Sequence, residues 1–181
     1  MTKVKLAPAA EFTANCEHFN PSIFITNLAH KIQTWLKSIE SAQHIEIEPH
    51  HAQMHVDSNT AYIFKDILDD TPIGSVFLEP LPTKIRTGFN LMELEKSSAV
   101  YMTRFMLDPE YIGNKIGDVM LQEIQNVCSK KGVAIVLDTW EGNAKLRKFY
   151  ERNGFSFRGI FGKVEGGEEF FVACYSQTGG K

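Results

Sequence analysis

The sequence predicts an α/β protein, and three observations carry that expectation. Residues 99–154 run strand, loop, helix, strand, short helix, which is one β-α-β-α unit; strand patterns with turn residues flank it on both sides; and the first 60 residues hold helical periodicity. At 181 residues and 43% hydrophobic content, the chain fits a single domain, 1–181, with one packed core.

Taken in order, a short strand-like KVKL opens the chain. Residues 9–19 and 22–42 read as helices, the second placing Ile25, Leu28, Ile32, Trp35, Leu36 and Ile39 on one face. The stretch HIEIEPHHAQMHVDSN is polar and broken by Pro49, and it reads as a connector to the sheet. AYIFKDIL and IGSVFLEPL form a hairpin through the turn DDTP, since Asp, Pro and Gly cluster between two apolar runs. AVYMTRFML, residues 99–107, is the next strand, ended by Asp108-Pro109 because proline restricts the residue before it.

Ile116, Met120, Ile124 and Val127 then recur at helical spacing, with Gly132 as the stop. VAIVLDTW is nearly all apolar, as a buried parallel strand is, and NAKLRKFYERNGF is a short helix closed by Asn153-Gly154. FSFRGIFG and EEFFVACYS, joined by KVEGG, make a last hairpin.

Charge and cysteine content bound the function classes. A net charge of −3 gives no global attraction to nucleic acid or to an anionic membrane. No segment approaches the roughly 20 apolar residues of a membrane span, and Lys3 and Lys5 precede no signal-like apolar run. Cys16, Cys128 and Cys174 are odd in number and form no CxxC pair, so they read as reduced thiols and the expected location is cytoplasmic.

Two segments carry candidate chemistry. In DPEYIGNKIGDVML a strand runs into a loop and then a helix, whose first-turn amides lack intrahelical partners and lie at the positive end of the macrodipole. That suits a phosphate or pyrophosphate, with Gly113 turning the backbone and Gly117 leaving the first turn uncrowded. Two spaced glycines also suit a plain strand-to-helix turn, and neither GxGxxG nor a glycine-lysine-serine/threonine triplet is present. The second segment, from Asn143 to Lys163, sets Lys145, Arg147, Lys148, Arg152, Arg158 and Lys163 against a single acid, Glu151. A basic excess here suits an anionic ligand at the end of an α/β strand, or a solvated helix face.

Together and in this order, the two segments resemble the GCN5-related N-acetyltransferase (GNAT) superfamily. The family loop has the pattern Gln/Arg-x-x-Gly-x-Gly/Ala; here Ile112 takes the first place, Lys115 the middle glycine and Gly117 the last small residue, while Gly113 matches the glycine after the arginine. LDTWEGNAKLRKFYERNGF looks like the family's late strand, asparagine, tyrosine-bearing helix and closing Gly-Phe. The resemblance implies a mixed, mostly antiparallel central sheet with a central parallel pair, flanked by helices. It makes residues 99–157 the acetyl-CoA-binding core and assigns the acceptor side to the helical region 1–60.

By that resemblance, the backbones of Phe105, Met106 and Leu107 hold the pantetheine arm, and the amides of Ile112, Gly113, Asn114, Lys115, Ile116 and Gly117 hold the pyrophosphate. Asn143 and Lys148 complete the cofactor set, and Tyr150 is the general acid for the departing thiolate. Acetyl-CoA is the implied donor, no metal is expected, and the acceptor is a small-molecule or peptide amine. A homodimer is compatible with this reading, whereas a nucleic acid or membrane partner is not expected.

Histone-modifying members carry a glutamate base on the strand where Tyr101 stands here; Glu93, Glu95 and Asp138 are alternatives that also read as ordinary surface or structural carboxylates, and a water path to solvent can serve without a base residue. Cys128 and Cys174 lie within regular elements and do not suggest an acyl-cysteine route. His51 and His55, with His50 adjacent, have a metal-clamp spacing but no HExxH glutamate, so a polar connector is the competing reading. Asp66, Asp69, Asp70 and Glu79 give the first hairpin an acidic bias toward a cationic amine, or toward solvent. Two rival functions stay open: a catalytically silent acyl-CoA-binding module, and an enzyme using a longer acyl-CoA.

Overall fold

The computed structural model describes residues 3–15, 19–94, 99–165 and 168–178. Cys16, Glu95 and the two glycines of KVEGG lie outside the described residues. The elements are β1 (Val4–Pro8), α1 (Ala10–Asn15), α2 (Pro21–Ser38), α3 (Pro49–Asp57), β2 (Ala61–Asp66), β3 (Pro72–Pro80), α4 (Thr83–Gly88), β4 (Ala99–Leu107), a 3-10 turn (Pro109–Tyr111), α5 (Ile116–Lys130), β5 (Ala134–Trp140), α6 (Ala144–Arg152), β6 (Ser156–Glu165) and β7 (Glu168–Gln177).

The strands form one seven-stranded sheet in the order β1-β2-β3-β4-β5-β7-β6. β4 and β5 are parallel, while β1/β2, β2/β3, β5/β7 and β6/β7 are antiparallel. The parallel pair is joined by α5, as a crossover requires. The predicted class and every predicted strand are therefore present.

The chain divides into two compact units, residues 1–78 with 104–124, and residues 79–103 with 125–181. In the first, α2 opens on Asn20, whose side chain accepts from the amides of Ser22 and Ile23. Its Ile25, Leu28 and Ala29 are buried with Phe12, Ala52, Val56, Ile63, Phe77 and Met106. Each large side chain in such a core contributes about 1.5–3 kcal/mol. Gly74 of β3 is required by close approach, because a Cβ there would lie 2.5 Å from the Met106 carbonyl oxygen and 2.6 Å from Met120 Cε. In the second unit, Leu81, Phe89, Leu91, Ala99, Tyr101, Ala134, Val136, Val172 and Cys174 are buried together.

Two elements differ from expectation. The stretch read as a polar connector contains α3, because Pro49 sits in its first turn, where the missing N–H has no intrahelical partner to lose. The short α4 carries no buried stripe of its own to announce it. On α3, His55 is buried, stacked on Phe77 with centroids 4.0 Å apart, and its Nδ1 lies 2.8 Å from Thr60 Oγ1. Burial, the neighbouring His51 and Arg104 lower its pKa to about 4. The unfolded chain takes up this proton near pH 6.5, so the neutral ring supports the fold at neutral pH and that support is lost as pH falls from 6.5 through about 4.

Candidate functional site

In the first unit the site residues lie at the end of β4 and in the loop after it. β4 pairs with β5 only over Ala99–Met102, and Arg104 then takes a left-handed φ of 50°, which breaks the extended course of the strand. Phe105 sets its ring edge-on to Phe64 at 6.1 Å, and Met106 is buried. Phe105 and Leu107 are half-buried.

Asp108 starts the 3-10 turn by accepting from the Glu110 amide at 3.0 Å, and the Asp108 amide donates to the Ile73 carbonyl at 2.9 Å. Lys31 of α2 bridges Asp108 and Glu110 at 2.8 Å each, and these two hydrogen bonds raise its pKa. The loop therefore leaves from a fixed point. Gly113 then has φ 94° and Lys115 has φ 59°. The Lys115 carbonyl accepts from the amides of Asp118 at 3.1 Å and Val119 at 3.3 Å, so the ladder of α5 begins there. The amides from Gly113 to Gly117 lie ahead of that ladder, and Gly113, Asn114 and Lys115 are exposed. Ile112 is also exposed, at 44%, but its amide, expected to face the pyrophosphate, instead donates to the Pro109 carbonyl at 3.2 Å and closes the 3-10 turn. The left-handed region costs a side chain about 1–2 kcal/mol, so Lys115 takes a φ that a glycine would adopt more readily.

In the second unit, Asn143 caps α6, its side-chain oxygen accepting from the Leu146 amide at 2.9 Å. Lys148 is exposed. Tyr150 is only 5% exposed and sits among Phe149, Phe155 and Tyr175 at centroid distances of 5.3, 5.7 and 6.1 Å. Burial, then the Asp138 charge, pushes its phenol above the ordinary value of 10. The proton is firmly held, and donating it to a thiolate requires that the sulfur arrive with its charge poorly solvated.

The basic run is less free than its composition suggests. Arg147 Nε donates to the Tyr175 hydroxyl at 3.2 Å, Arg158 pairs with Glu93, and Lys163 pairs with Asp138. The acidic hairpin residues are likewise engaged locally. Asp66 and Asp69 accept from the amides of Leu68 and Thr71 at 2.9 and 3.0 Å, and Asp70 lies 3.7 Å from Lys65 Nζ.

The cluster that sequence reasoning missed lies on β4, β5 and β6. The Tyr101 hydroxyl donates to Asp138 Oδ2 at 2.5 Å, while Lys163 Nζ donates to the same oxygen at 2.5 Å and to the Tyr101 oxygen at 3.2 Å. Strand register explains the meeting. Tyr101 is opposite Val136, two residues from Asp138; Asp138 is opposite Cys174; Lys163 is opposite Phe170, four residues from Cys174. Alternation therefore puts all three side chains on one face. Tyr150 packs on Tyr175, whose cross-strand partner is Leu137, and so belongs to the opposite face. The alternation within β6 was visible in the sequence, but its neighbours were not.

Both free cysteines described here, Cys128 and Cys174, are buried, and burial pushes the Cys174 thiol up to about 12. Neither has the character of an acyl-accepting thiolate. His51 Nε2 lies 3.1 Å from His55 Nε2, but among the described residues no group of three or more His, Cys, Asp or Glu side chains is arranged to hold a metal. Among them, too, no helix is long and apolar enough to cross a membrane.

A mixed sheet with one parallel pair, crossed by a helix that follows a glycine-bearing loop, is the architecture that the family resemblance implies. The profile of the acetyltransferase (GNAT) family matches residues 26–155, and the chain belongs to that family. No curated protein matches it in sequence. Solved structures share its fold. A GNAT-family acetyltransferase from Listeria monocytogenes is 20% identical with a TM-score of 0.71, over 98% of this chain and 94% of that one. A chimeric spermidine N-acetyltransferase from Vibrio cholerae is 14% identical with a TM-score of 0.66, over 97% and 95%. A ribosomal-protein alpha-N-acetyltransferase in complex with coenzyme A is 16% identical with a TM-score of 0.62, over 98% and 95%. Membership supports acyl-CoA-dependent N-acetyl transfer in general.

Proposed function

We propose that this chain transfers acetyl from acetyl-CoA to a primary amine by direct attack in a ternary complex. The observation that carries the reading is the row of amides from Gly113 to Gly117 ahead of the α5 ladder, in a loop that directly follows β4. Backbone amides do not depend on side-chain identity, so Ile112 and Lys115 are tolerated where the family pattern has other residues. The backbone of Phe105, Met106 and Leu107 receives the pantetheine amides, Asn143 and Lys148 add side-chain contacts, and Tyr150 protonates the leaving sulfur. The region 1–60 serves acceptor choice. Small-molecule and protein amines are both within reach of the reading, since neighbours of this fold include a spermidine N-acetyltransferase and a ribosomal-protein N-acetyltransferase.

One observation favours a second reading. Tyr150 is packed as a core aromatic, which a non-catalytic acyl-CoA-binding module would retain equally well. Calorimetry with acetyl-CoA, followed by release of free thiol across a panel of polyamines, amino acids and peptide N-termini, separates the two. Binding together with thiol release on one class of amine is the expected result. Binding with no turnover on any amine favours the module, and absence of binding overturns both.

A further inference from the structure

We propose that Lys31 of α2 is a positioning residue for the cofactor loop Gly113–Gly117: it offsets the charge of the acidic turn Asp108–Glu110 that directly precedes the loop, and so lets a pyrophosphate bind there at full strength. This rests on the acetyl-CoA reading above and adds to it a residue from outside the cofactor segment, 77 residues from Asp108 along the chain. Lys31, the turn and the loop all belong to the first compact unit.

Asp108 has structural work that fixes it in place. Its amide donates to the Ile73 carbonyl at 2.9 Å, its carbonyl accepts from the Tyr111 amide at 2.9 Å, and its Oδ1 accepts from the Glu110 amide at 3.0 Å. It therefore both ends β4 and opens the 3-10 turn. The side chain that does this is negatively charged, and Glu110 brings a second charge two residues on. A chain advances at most about 3.6 Å per residue, so the Glu110 backbone stands within about 11 Å of Gly113 and that of Asp108 within about 18 Å. Carboxylates so near repel an anionic ligand, and main-chain amides set only partial positive charge against them.

Lys31 meets both carboxylates at once. Its Nζ donates to Asp108 Oδ2 and to Glu110 Oε1, at 2.8 Å each. The two oxygens of Asp108 are thereby divided, Oδ1 for the turn and Oδ2 for the ammonium. These two hydrogen bonds also raise the pKa of Lys31 and keep it charged at neutral pH. Exposed ion pairs add little to folding stability, so the effect of this one is expected in ligand affinity.

Charge and shape are separable here. The three side chains carry a net charge of −1 with both bridges present; Lys31→Met makes it −2, Glu110→Gln makes it 0, and the double variant returns it to −1. Lys115 keeps its own charge throughout. At about 10 Å in water, one unit of charge facing a doubly charged pyrophosphate changes affinity roughly fourfold before screening.

Calorimetry with acetyl-CoA at low ionic strength, on the wild type and these three variants, tests the proposal. Glu110→Gln is expected to bind tightest and Lys31→Met weakest, with the wild type and the double variant equal within about 1.5-fold between them. Each step is expected to be about two- to fourfold and to shrink at about 0.5 M salt. Lys31 and Glu110 side chains are 43% and 73% exposed, so no variant uncovers the core, and thermal melting without ligand checks that each is folded. Should Lys31→Met melt early, Glu110→Gln alone decides. A bridge that only holds the turn in shape gives the opposite order: Glu110→Gln weakens binding, and the double variant binds no better than Lys31→Met. Either result overturns the proposal, as does equal affinity of all four proteins. A wild type that fails to bind acetyl-CoA instead removes the functional reading, and this assignment falls with it.

Discussion

The loop from Gly113 to Gly117 and the cluster of Tyr101, Asp138 and Lys163 are built in opposite ways. The loop offers main-chain amides, has one left-handed glycine and one left-handed lysine, and is exposed over Gly113–Lys115. The cluster uses three side chains from three strands, and it is largely enclosed. A site made of amides tolerates side-chain change as long as the backbone path survives. A site made of converging side chains tolerates very little, since removing one partner leaves the others unpaired in a poorly solvated place.

Four substitutions sharpen that contrast, from the largest effect to the smallest. Tyr150→Phe keeps the ring packing but removes the hydroxyl, and kcat should fall about 100-fold with the acetyl-CoA Kd within about twofold; steady-state kinetics showing an unchanged kcat would make Tyr150 a core aromatic only. Gly113→Ala places a side chain at φ 94°, where space is open and only the backbone objects. The strain of about 1–2 kcal/mol should appear in calorimetry as roughly tenfold weaker acetyl-CoA binding.

Asn143→Ala removes the cap on the Leu146 amide and should lower stability by about 1 kcal/mol in a urea titration. A further loss of acetyl-CoA affinity in that variant would add the pantetheine contact to the cap. Lys115→Gly has the smallest functional effect: acetyl-CoA affinity should stay within about twofold, while stability rises by up to about 1 kcal/mol as a left-handed side chain is removed. A clear loss of affinity would mean that the ammonium, rather than the amide, holds the phosphate, and the contrast between the two sites would weaken.

Legibility differs between these regions for the same reason. β4, the loop, α5, β5 and α6 follow one another along the chain, and local signals mark them: Asp108-Pro109 as a stop, Gly113 as a turn, the Ile116, Met120, Ile124 stripe as a helix, Asn153-Gly154 as a helix end. Residues 49–57 misled because Pro49 ends a helix when it is interior and starts one when it is first, and sequence alone does not say which. Lys163 was visible only as one more charge in a basic run. Its partner is 25 residues away, and the pairing depends on β7 lying between β5 and β6.

The sequence by itself determined the order and type of nearly all elements, the amide-bearing loop and the resemblance to the acetyltransferase family, because these rest on periodicity, capping and turn chemistry within a few residues. Only the tertiary structure decided that Tyr150 is enclosed by three aromatic rings and that Tyr101, Asp138 and Lys163 share one face. Which strands become neighbours, and in what register, is set by the packing of the whole sheet, and a change of one residue in register turns every side chain of a strand to its other face.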